Sequence, residues 1–151
     1  MKKVKDSIVE MTELVTPQDT NHHGNLSGGR LMHWIDIAAA MAAMRHCNRP
    51  VVTRSIDSIS FNNSIRLGQA VVIKASVNRV FNSSMEVGVK IYSENLMTGD
   101  RKHTNSAYLT FVALDADNHP VRIIPIEPET DEERRRFEKA LQRRELRLQA
   151  K

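Results

Sequence analysis

From about Leu26 to Cys47 the chain carries no proline, and its residues are good helix formers: Leu31, Met32, Ile35, Ala38 to Ala40 and Met41 to Met44. The stretch predicts one helix of about 20 residues, roughly 30 Å long. It is apolar nearly all round, and such a helix is buried rather than laid on a surface. Its alanines let another element approach closely. Whatever else the chain forms has to wrap around this rod.

The flanking segments supply the wrapping. Ser7 to Val15 reads as a short strand rich in β-branched and apolar residues. Beyond the helix the period changes to two. Val71, Ile73, Ala75 and Val77 alternate with Val72, Lys74, Ser76 and Asn78; Met85, Val87, Val89 and Ile91 alternate with Glu86, Gly88 and Lys90. Ala107, Leu109, Phe111 and Ala113 form a third such set, and Val51 to Phe61 a fourth, more polar strand. Turn signals separate them at Leu67-Gly68-Gln69, Asn82-Ser83-Ser84, Thr98-Gly99-Asp100 and Asp117-Asn118-His119-Pro120. Long strands joined by short turns make an antiparallel sheet. A second helix closes the chain, opened by a capping box of Thr130 and Glu133 and carrying a thin apolar stripe of Phe137, Ala140, Leu141 and Leu148. The fold class is therefore α+β: a curved antiparallel sheet around one long central helix, plus a C-terminal helix. Such a sheet has edge strands, which dimerisation would pair or cover.

Composition narrows the function. The chain has 151 residues, enough for one full core; residues 1–128 are expected to form the domain and 129–151 a basic helical tail. One cysteine, Cys47, excludes a disulfide framework and suits a reducing compartment. The basic N-terminus is not followed by an apolar signal core, and the apolar run from Trp34 to Met44 is too short to span a bilayer and contains Asp36. A cytoplasmic protein with no membrane partner is expected. The net charge is +4, with much of the excess around Arg134-Arg135-Arg136 and Arg143-Arg144. That basic stretch reads as a solvated helix face, and the scarcity of aromatic residues argues against a nucleic-acid partner.

Two features point to chemistry. Asp36 is a lone carboxylate on an apolar helix, which costs free energy unless it is paired or hydrogen-bonded, and desolvation disfavours its charged form. It reads as a catalytic base or nucleophile, against the alternative of a satisfied structural aspartate. Gly24-Asn25-Leu26-Ser27-Gly28-Gly29 opens the same helix, where free N–H groups and the helix dipole favour negative charge. Gly28 and Gly29 are candidates for holding a carbonyl oxygen as an oxyanion, although an ordinary N-cap explains them equally well. Asn25 and Asp36 lie about 16 Å apart by helical rise. One helix cannot bring them together, but two copies from two subunits could.

The run from His22 to Asp36, with Arg45-His46-Cys47, Val51-Val52-Thr53, Ser55-Ile56-Asp57, Phe61, Ser83 to Val87 and Pro128-Glu129-Thr130, resembles the hotdog-fold acyl-CoA thioesterases, in the cytosolic acyl-CoA hydrolase branch. The resemblance covers nearly the whole chain. It implies hydrolysis of acyl-CoA to free acid and CoA, with Asn25 from one subunit and Asp36 from the other. It implies a homodimer with two complete sites, and a trimer of such dimers. Thr53 sits near the aspartate in similar enzymes and takes a supporting role. The CoA phosphates need basic or N–H partners, for which Arg54, Arg79, Ser83 and Ser84 are candidates. No cofactor is expected, since CoA belongs to the substrate.

Other constellations are weaker. His22, His23, His33, His46 and Cys47 lack the spacing of any known zinc motif, so no metal is expected. Cys47 has no assured base and reads as a small buried hydrophobe. Ser27 is not bracketed by glycines as a nucleophile elbow requires. A non-enzymatic acyl-CoA sensor is the alternative, but nothing ahead of residue 7 suffices for the DNA-binding helices such a module would carry. A dehydratase would need a histidine partner, and His33 stands too close to Asp36 on the same helix.

Overall fold

The computed structural model describes residues 1–57, 59 and 63–150. The elements are β1 (Lys2–Lys3), a 3-10 turn (Val4–Ser7), β2 (Val9–Leu14), a second 3-10 turn (Pro17–Asp19), α1 (Gly28–Cys47), β3 (Val51–Asp57), β4 (Ala70–Val80), β5 (Ser84–Glu94), β6 (Arg101–Ala113), β7 (Ile126–Glu127) and α2 (Asp131–Gln149). Five strands form one sheet in the order β2-β4-β5-β6-β3, with every neighbouring pair antiparallel. β1 and β7 make a separate parallel pair.

The central helix forms where the sequence places it, two residues shorter at its start. Ser27 caps it by accepting the Arg30 N–H at 3.2 Å, and Leu26 is drawn off into a backbone bond to the Ile65 carbonyl at 2.7 Å. Asn48 ends it in the left-handed conformation that asparagine tolerates, its N–H donating to the Met44 carbonyl. Leu31, Trp34, Ile35, Ala38, Ala39, Ala42 and Ala43 pack against the inward set of the strands, among them Ile73, Val77, Met85, Val87, Ile91, Leu109 and Phe111. The expectation of a helix buried all round needs correction. Its opposite stripe reaches solvent in the single chain, with Ile37 38% and Met44 40% exposed. Beside it β3 is an edge strand, and its Val52 is 47% exposed. An apolar helix stripe and an unpaired edge strand thus share one side of the molecule.

Other boundaries shift for local reasons. Ser7 is not in the first strand: its buried hydroxyl donates to the Val4 carbonyl at 2.7 Å and accepts the Val77 N–H at 2.9 Å. The strand expected at Val51 to Phe61 runs to Asp57, and positions 58 and 60–62, Phe61 included, lie outside the described residues. β3 carries a bulge at Arg54, because Thr53 pairs with Phe111 and Ser55 already with Thr110. The extra residue leaves Thr53 on the α1 face of the sheet and turns Ser55 and Asp57 to the outer face.

On that outer face lies α2. Its N-cap is Thr130, whose hydroxyl accepts the Glu133 N–H at 3.0 Å, while the Glu133 carboxylate reaches back one residue further, to the Glu129 N–H at 2.8 Å. Of the expected apolar stripe, Ala140 is fully buried but Leu148 is exposed. The reading of Arg143 and its neighbours as a solvated face is overturned. Arg143 turns inward and grips the fully buried Glu86 through two hydrogen bonds of 2.8 Å, and Arg147 reaches Asp57 at 2.7 Å. Glu86 and Asp57 are the anions that draw these arginines down. Period-two alternation shows only that Glu86 faces outward, and cannot show that a helix will cover it.

Candidate active site and substrate pocket

The loop leading into α1 is braced by its own side chains. Asp19 accepts the Thr16 N–H at 2.9 Å and the Thr16 hydroxyl at 2.7 Å, and lies 3.2 Å from the Arg30 guanidinium. These hydrogen bonds, the backbone one first, hold its carboxyl below the usual range. Asn21 accepts the N–H groups of His23 and Asn25 at 3.0 and 3.2 Å, and Gly24 turns the chain with a φ of +77°. Asn25 is thereby presented just ahead of the helix. Its side-chain oxygen is buried and has no hydrogen-bond partner among the described residues. An unpaired buried amide oxygen is costly unless a ligand or a second chain completes it.

Gly28 and Gly29 form the exposed first turn of α1, where backbone N–H groups lack helical acceptors. No atom lies within 4 Å of where a Gly29 side chain would begin, so a ligand has open access there. Asp36 stands eight residues into the helix, about 12 Å along its axis from Gly28. It is half-buried in the single chain, not enclosed as the sequence suggested, and its Oδ1 accepts a hydrogen bond of 2.8 Å from the Thr53 hydroxyl. The helix and the edge strand therefore converge on one carboxylate. Asn25 is not brought to it within one chain.

The residues named for the CoA phosphates separate into two groups. Arg54, Ser83 and Ser84 line one cavity of about 410 Å³ on the outer face, together with Arg144 and Arg147 of α2. The α2 arginines were not foreseen there; their place depends on how the helix docks, which no local pattern encodes. Arg79 is elsewhere: its guanidinium lies 3.9 Å from the Phe137 ring and donates to the Phe137 carbonyl at 3.1 Å, so it seats α2. Cys47 is only partly buried; burial pushes its thiol pKa up, which makes it a poor nucleophile. His22 and His23 lie against each other, their ring centroids 3.9 Å apart, but they form no ligand-like group with His33, His46 or Cys47 among the described residues. Among the described residues the grouping with ligand-like spacing is Asp115, Asp117 and His119, in the turn after β6, and the carboxylate of Asp115 is already used by the N–H groups of Asp117 and His119.

No helix among the described residues is long and apolar enough to cross a membrane. Comparison with known proteins connects the site to a family. The thioesterase superfamily matches residues 23–99, which takes in the Asn25 loop, all of α1 and strands β3 to β5. A Bacillus subtilis protein described as an uncharacterized acyl-CoA thioester hydrolase, YkhA, is 45% identical over 92% of this chain and 81% of its own. A crystal structure of an apo-hexameric acyl-CoA thioesterase superposes with a TM-score of 0.94 at 42% identity, covering 98% of this chain and 95% of the other. The acyl-CoA hydrolase of Staphylococcus aureus, solved with butyryl coenzyme A, coenzyme A and coenzyme A disulfide, gives a TM-score of 0.92 at 38% identity, covering 99% and 91%. It has also been solved with an aspartate, a threonine and an asparagine separately replaced by alanine; by residue number the threonine follows the aspartate by 17 positions and the asparagine precedes it by 15. The chain belongs to the thioesterase superfamily, among the hotdog-fold acyl-CoA thioester hydrolases.

Proposed function

We propose that the protein hydrolyses the thioester of acyl-CoA to a free carboxylic acid and CoA, at a site shared by two copies of the chain. The observation that carries this reading is the carboxylate of Asp36 held by the Thr53 hydroxyl at 2.8 Å beside an apolar, solvent-facing helix stripe. The S. aureus enzyme supports it: its substituted aspartate and threonine are separated as Asp36 and Thr53 are. The same counting sets its substituted asparagine at Asn21 rather than Asn25. Asn21 therefore joins Asn25 as a candidate, and its present hydrogen bonds to the loop would make it the organiser of the turn that presents Asn25.

The chemistry follows from position. Asp36 either takes a proton from a water that attacks the thioester carbon, or attacks that carbon itself to give a mixed anhydride that water then opens. In both routes the C–S bond breaks, the sulfur leaves as the CoA thiol and the acyl group as the acid. The N–H groups of Gly28 and Gly29 stabilise the negative charge that develops on the carbonyl oxygen, and an asparagine orients the water. Gly28 and Asp36 are too far apart along α1 to meet over one carbonyl. A second α1, packed on the Ile37–Met44 stripe with the β3 edges paired, brings the loop of one copy to the aspartate of the other. Such a homodimer has two sites, and three dimers make a hexamer like the relative that superposes on this chain. Arg54, Ser83 and Ser84 receive the phosphates of CoA, and the cytoplasm, where that substrate is found, is the place of action.

CoA release from acyl-CoAs of graded chain length tests the proposal, with wild type beside Asp36→Ala, Asn25→Ala and Asn21→Ala. Loss of release in Asp36→Ala is expected. Undiminished release by that variant would sink the mechanism, and no release by wild type from any acyl-CoA would favour the sensor.

A further inference from the structure

Both routes from thioester to acid leave one proton unassigned. The sulfur of CoA departs as a thiolate and has to take up a proton to become a thiol. On the anhydride route Asp36 is acylated as the C–S bond breaks and can give none. The Thr53 hydroxyl already donates its hydrogen to Asp36 Oδ1. Gly28 and Gly29 offer amide N–H groups, and an asparagine offers a carboxamide; neither kind is an acid at neutral pH. The side chain that carries a transferable proton near neutral pH is histidine.

Two histidines stand at the tip of the loop that presents Asn25. The segment from Thr20 to Leu26 is a small hairpin: Thr20 bridges Leu26 at its base, and the Asn21 N–H donates to the Asn25 carbonyl at 2.8 Å. The Gly24 N–H donates to the Asn21 carbonyl at 3.1 Å, which makes His22 and His23 the two corner residues of a β-turn. A neighbouring stretch of chain braces the hairpin from one side. There the Leu67 N–H reaches the Gly24 carbonyl at 3.0 Å, and the Leu26 N–H reaches the Ile65 carbonyl at 2.7 Å. The tip is thus held in place, yet both imidazoles are exposed. The rings touch each other, with centroids 3.9 Å apart. Of the pair, the His23 backbone N–H is engaged by Asn21 Oδ1, but neither ring is hydrogen-bonded among the described residues. The charged side chains beside the hairpin are Asp19, bound to Thr16 and Arg30, and Arg66, whose backbone bridges Asn25. Neither pairs with an imidazole among the described residues. A braced hairpin with two unengaged imidazoles at its tip holds nothing in its own chain. In a site shared by two copies, this same hairpin is the part that reaches Asp36 of the other copy.

We propose that the His22–His23 pair is the general acid of the reaction, a role that rests on the hydrolytic reading above. One imidazolium gives its proton to the sulfur of CoA as the C–S bond breaks beside Asp36 of the other copy. The protons balance on either route. If Asp36 takes a proton from the attacking water, it returns that proton through solvent to the emptied imidazole. If Asp36 is acylated, the emptied imidazole accepts a proton from the water that opens the anhydride. In both cases one thioester and one water give one acid and one thiol.

The pH dependence of steady-state CoA release tests this, with the acyl-CoA that wild type turns over fastest. Wild type is set beside His22→Gln, His23→Gln and the double variant, each checked for fold by circular dichroism and for assembly by native mass spectrometry. Glutamine keeps the polar bulk and removes the proton transfer. The double variant is expected to lose about a hundredfold in kcat with KM little changed. Wild-type kcat is expected to decline on the alkaline side, where an imidazolium gives up its proton, and the double variant to lack that decline. The single variants then show which ring supplies the proton. An unchanged kcat in the double variant, or a lowered kcat with the same alkaline decline, would overturn the proposal. So would a double variant that loses its rate because it no longer assembles, which would make the hairpin an interface arm. Failure of the hydrolytic reading itself is distinct, because there wild type releases no CoA at any pH.

Discussion

The hydroxyl of Thr53, on an edge strand, donates to Oδ1 of Asp36, in the middle of the central helix, at 2.8 Å. The two residues are 17 positions apart and belong to different elements, so the contact exists only because β3 passes beside α1. It fixes the direction of one carboxylate oxygen and leaves the other available for a proton or a carbon atom.

Removing that hydrogen bond therefore tests orientation more than fold. A hydrogen bond to a charged group is worth about 1.5–3 kcal/mol, and partial exposure puts this one at the lower end. Thr53→Val is expected to lower kcat about tenfold, with little change in the unfolding midpoint, and Thr53→Ser to keep most of the rate. Steady-state kinetics beside a thermal melt checks it; equal rates for wild type and Thr53→Val would show the contact to be incidental.

If loop and aspartate come from different chains, two inactive variants complement each other. Asn25→Ala and Asp36→Ala, unfolded together and refolded at equal amounts, give half of their dimers mixed, each with one intact site. About a quarter of the wild-type activity is expected by this counting. Activity that stays at the level of the separate variants, with mixed dimers shown by native mass spectrometry, would mean that each chain carries its own complete site. Should Asn21 be the orienting residue, Asn21→Ala complements where Asn25→Ala has no defect to repair.

Glu86 is the anchor of α2. It accepts two hydrogen bonds from Arg143 and one from Asn78 Nδ2 at 2.9 Å, and the guanidinium of Arg143 lies 3.6 Å from the Tyr108 ring. Burial is the largest single influence on Arg143 and works against its charge, but the Glu86 hydrogen bonds together with the attraction of nearby acidic groups, Glu86 foremost, outweigh it and its pKa is raised. Breaking a buried pair from one side strands the other charge, at a cost of about 3–5 kcal/mol. Glu86→Ala is expected to lose that much in urea unfolding, while Glu86→Leu with Arg143→Met loses far less. Gly88→Ala should cost a smaller part of the same energy, because its Cβ would stand 2.6 Å from Asn78 Nδ2 and push that amide from Glu86.

His46 makes stability depend on pH. It is fully buried, with Nε2 2.6 Å from the Ile124 carbonyl oxygen. A carbonyl only accepts, so Nε2 carries the hydrogen, and Nδ1 is buried without a partner among the described residues. Burial lowers its pKa, and the Ile124 hydrogen bond restores only part of the fall. The unfolded chain then binds a proton near pH ~6.5 that the folded chain refuses. Stability is full above that value and declines as pH falls below it, by at most about 1.4 kcal/mol per pH unit. His46→Gln should flatten this decline between pH 7.5 and 5.5 in urea titrations; identical slopes for the two proteins would exclude His46 as the cause.

Much of this was written in local patterns. An unbroken run of helix formers from Leu31 to Met44, three period-two strands and a capped final helix determine the elements, because propensity and alternation act within a few residues. Asp36 stood out for the same reason, as one charge among apolar neighbours. What the patterns do not contain is which elements touch. Only packing turned the outer Glu86 into a buried anion, since it took a helix more than forty residues away to cover it. Only the register of β3 against β6 put Thr53 on the α1 face and Asp57 on the other, through one extra residue at Arg54. The exposed stripe of Ile37 and Met44 shows the same limit from the other side. The sequence called for a helix buried all round, and a single chain has one sheet with which to bury it.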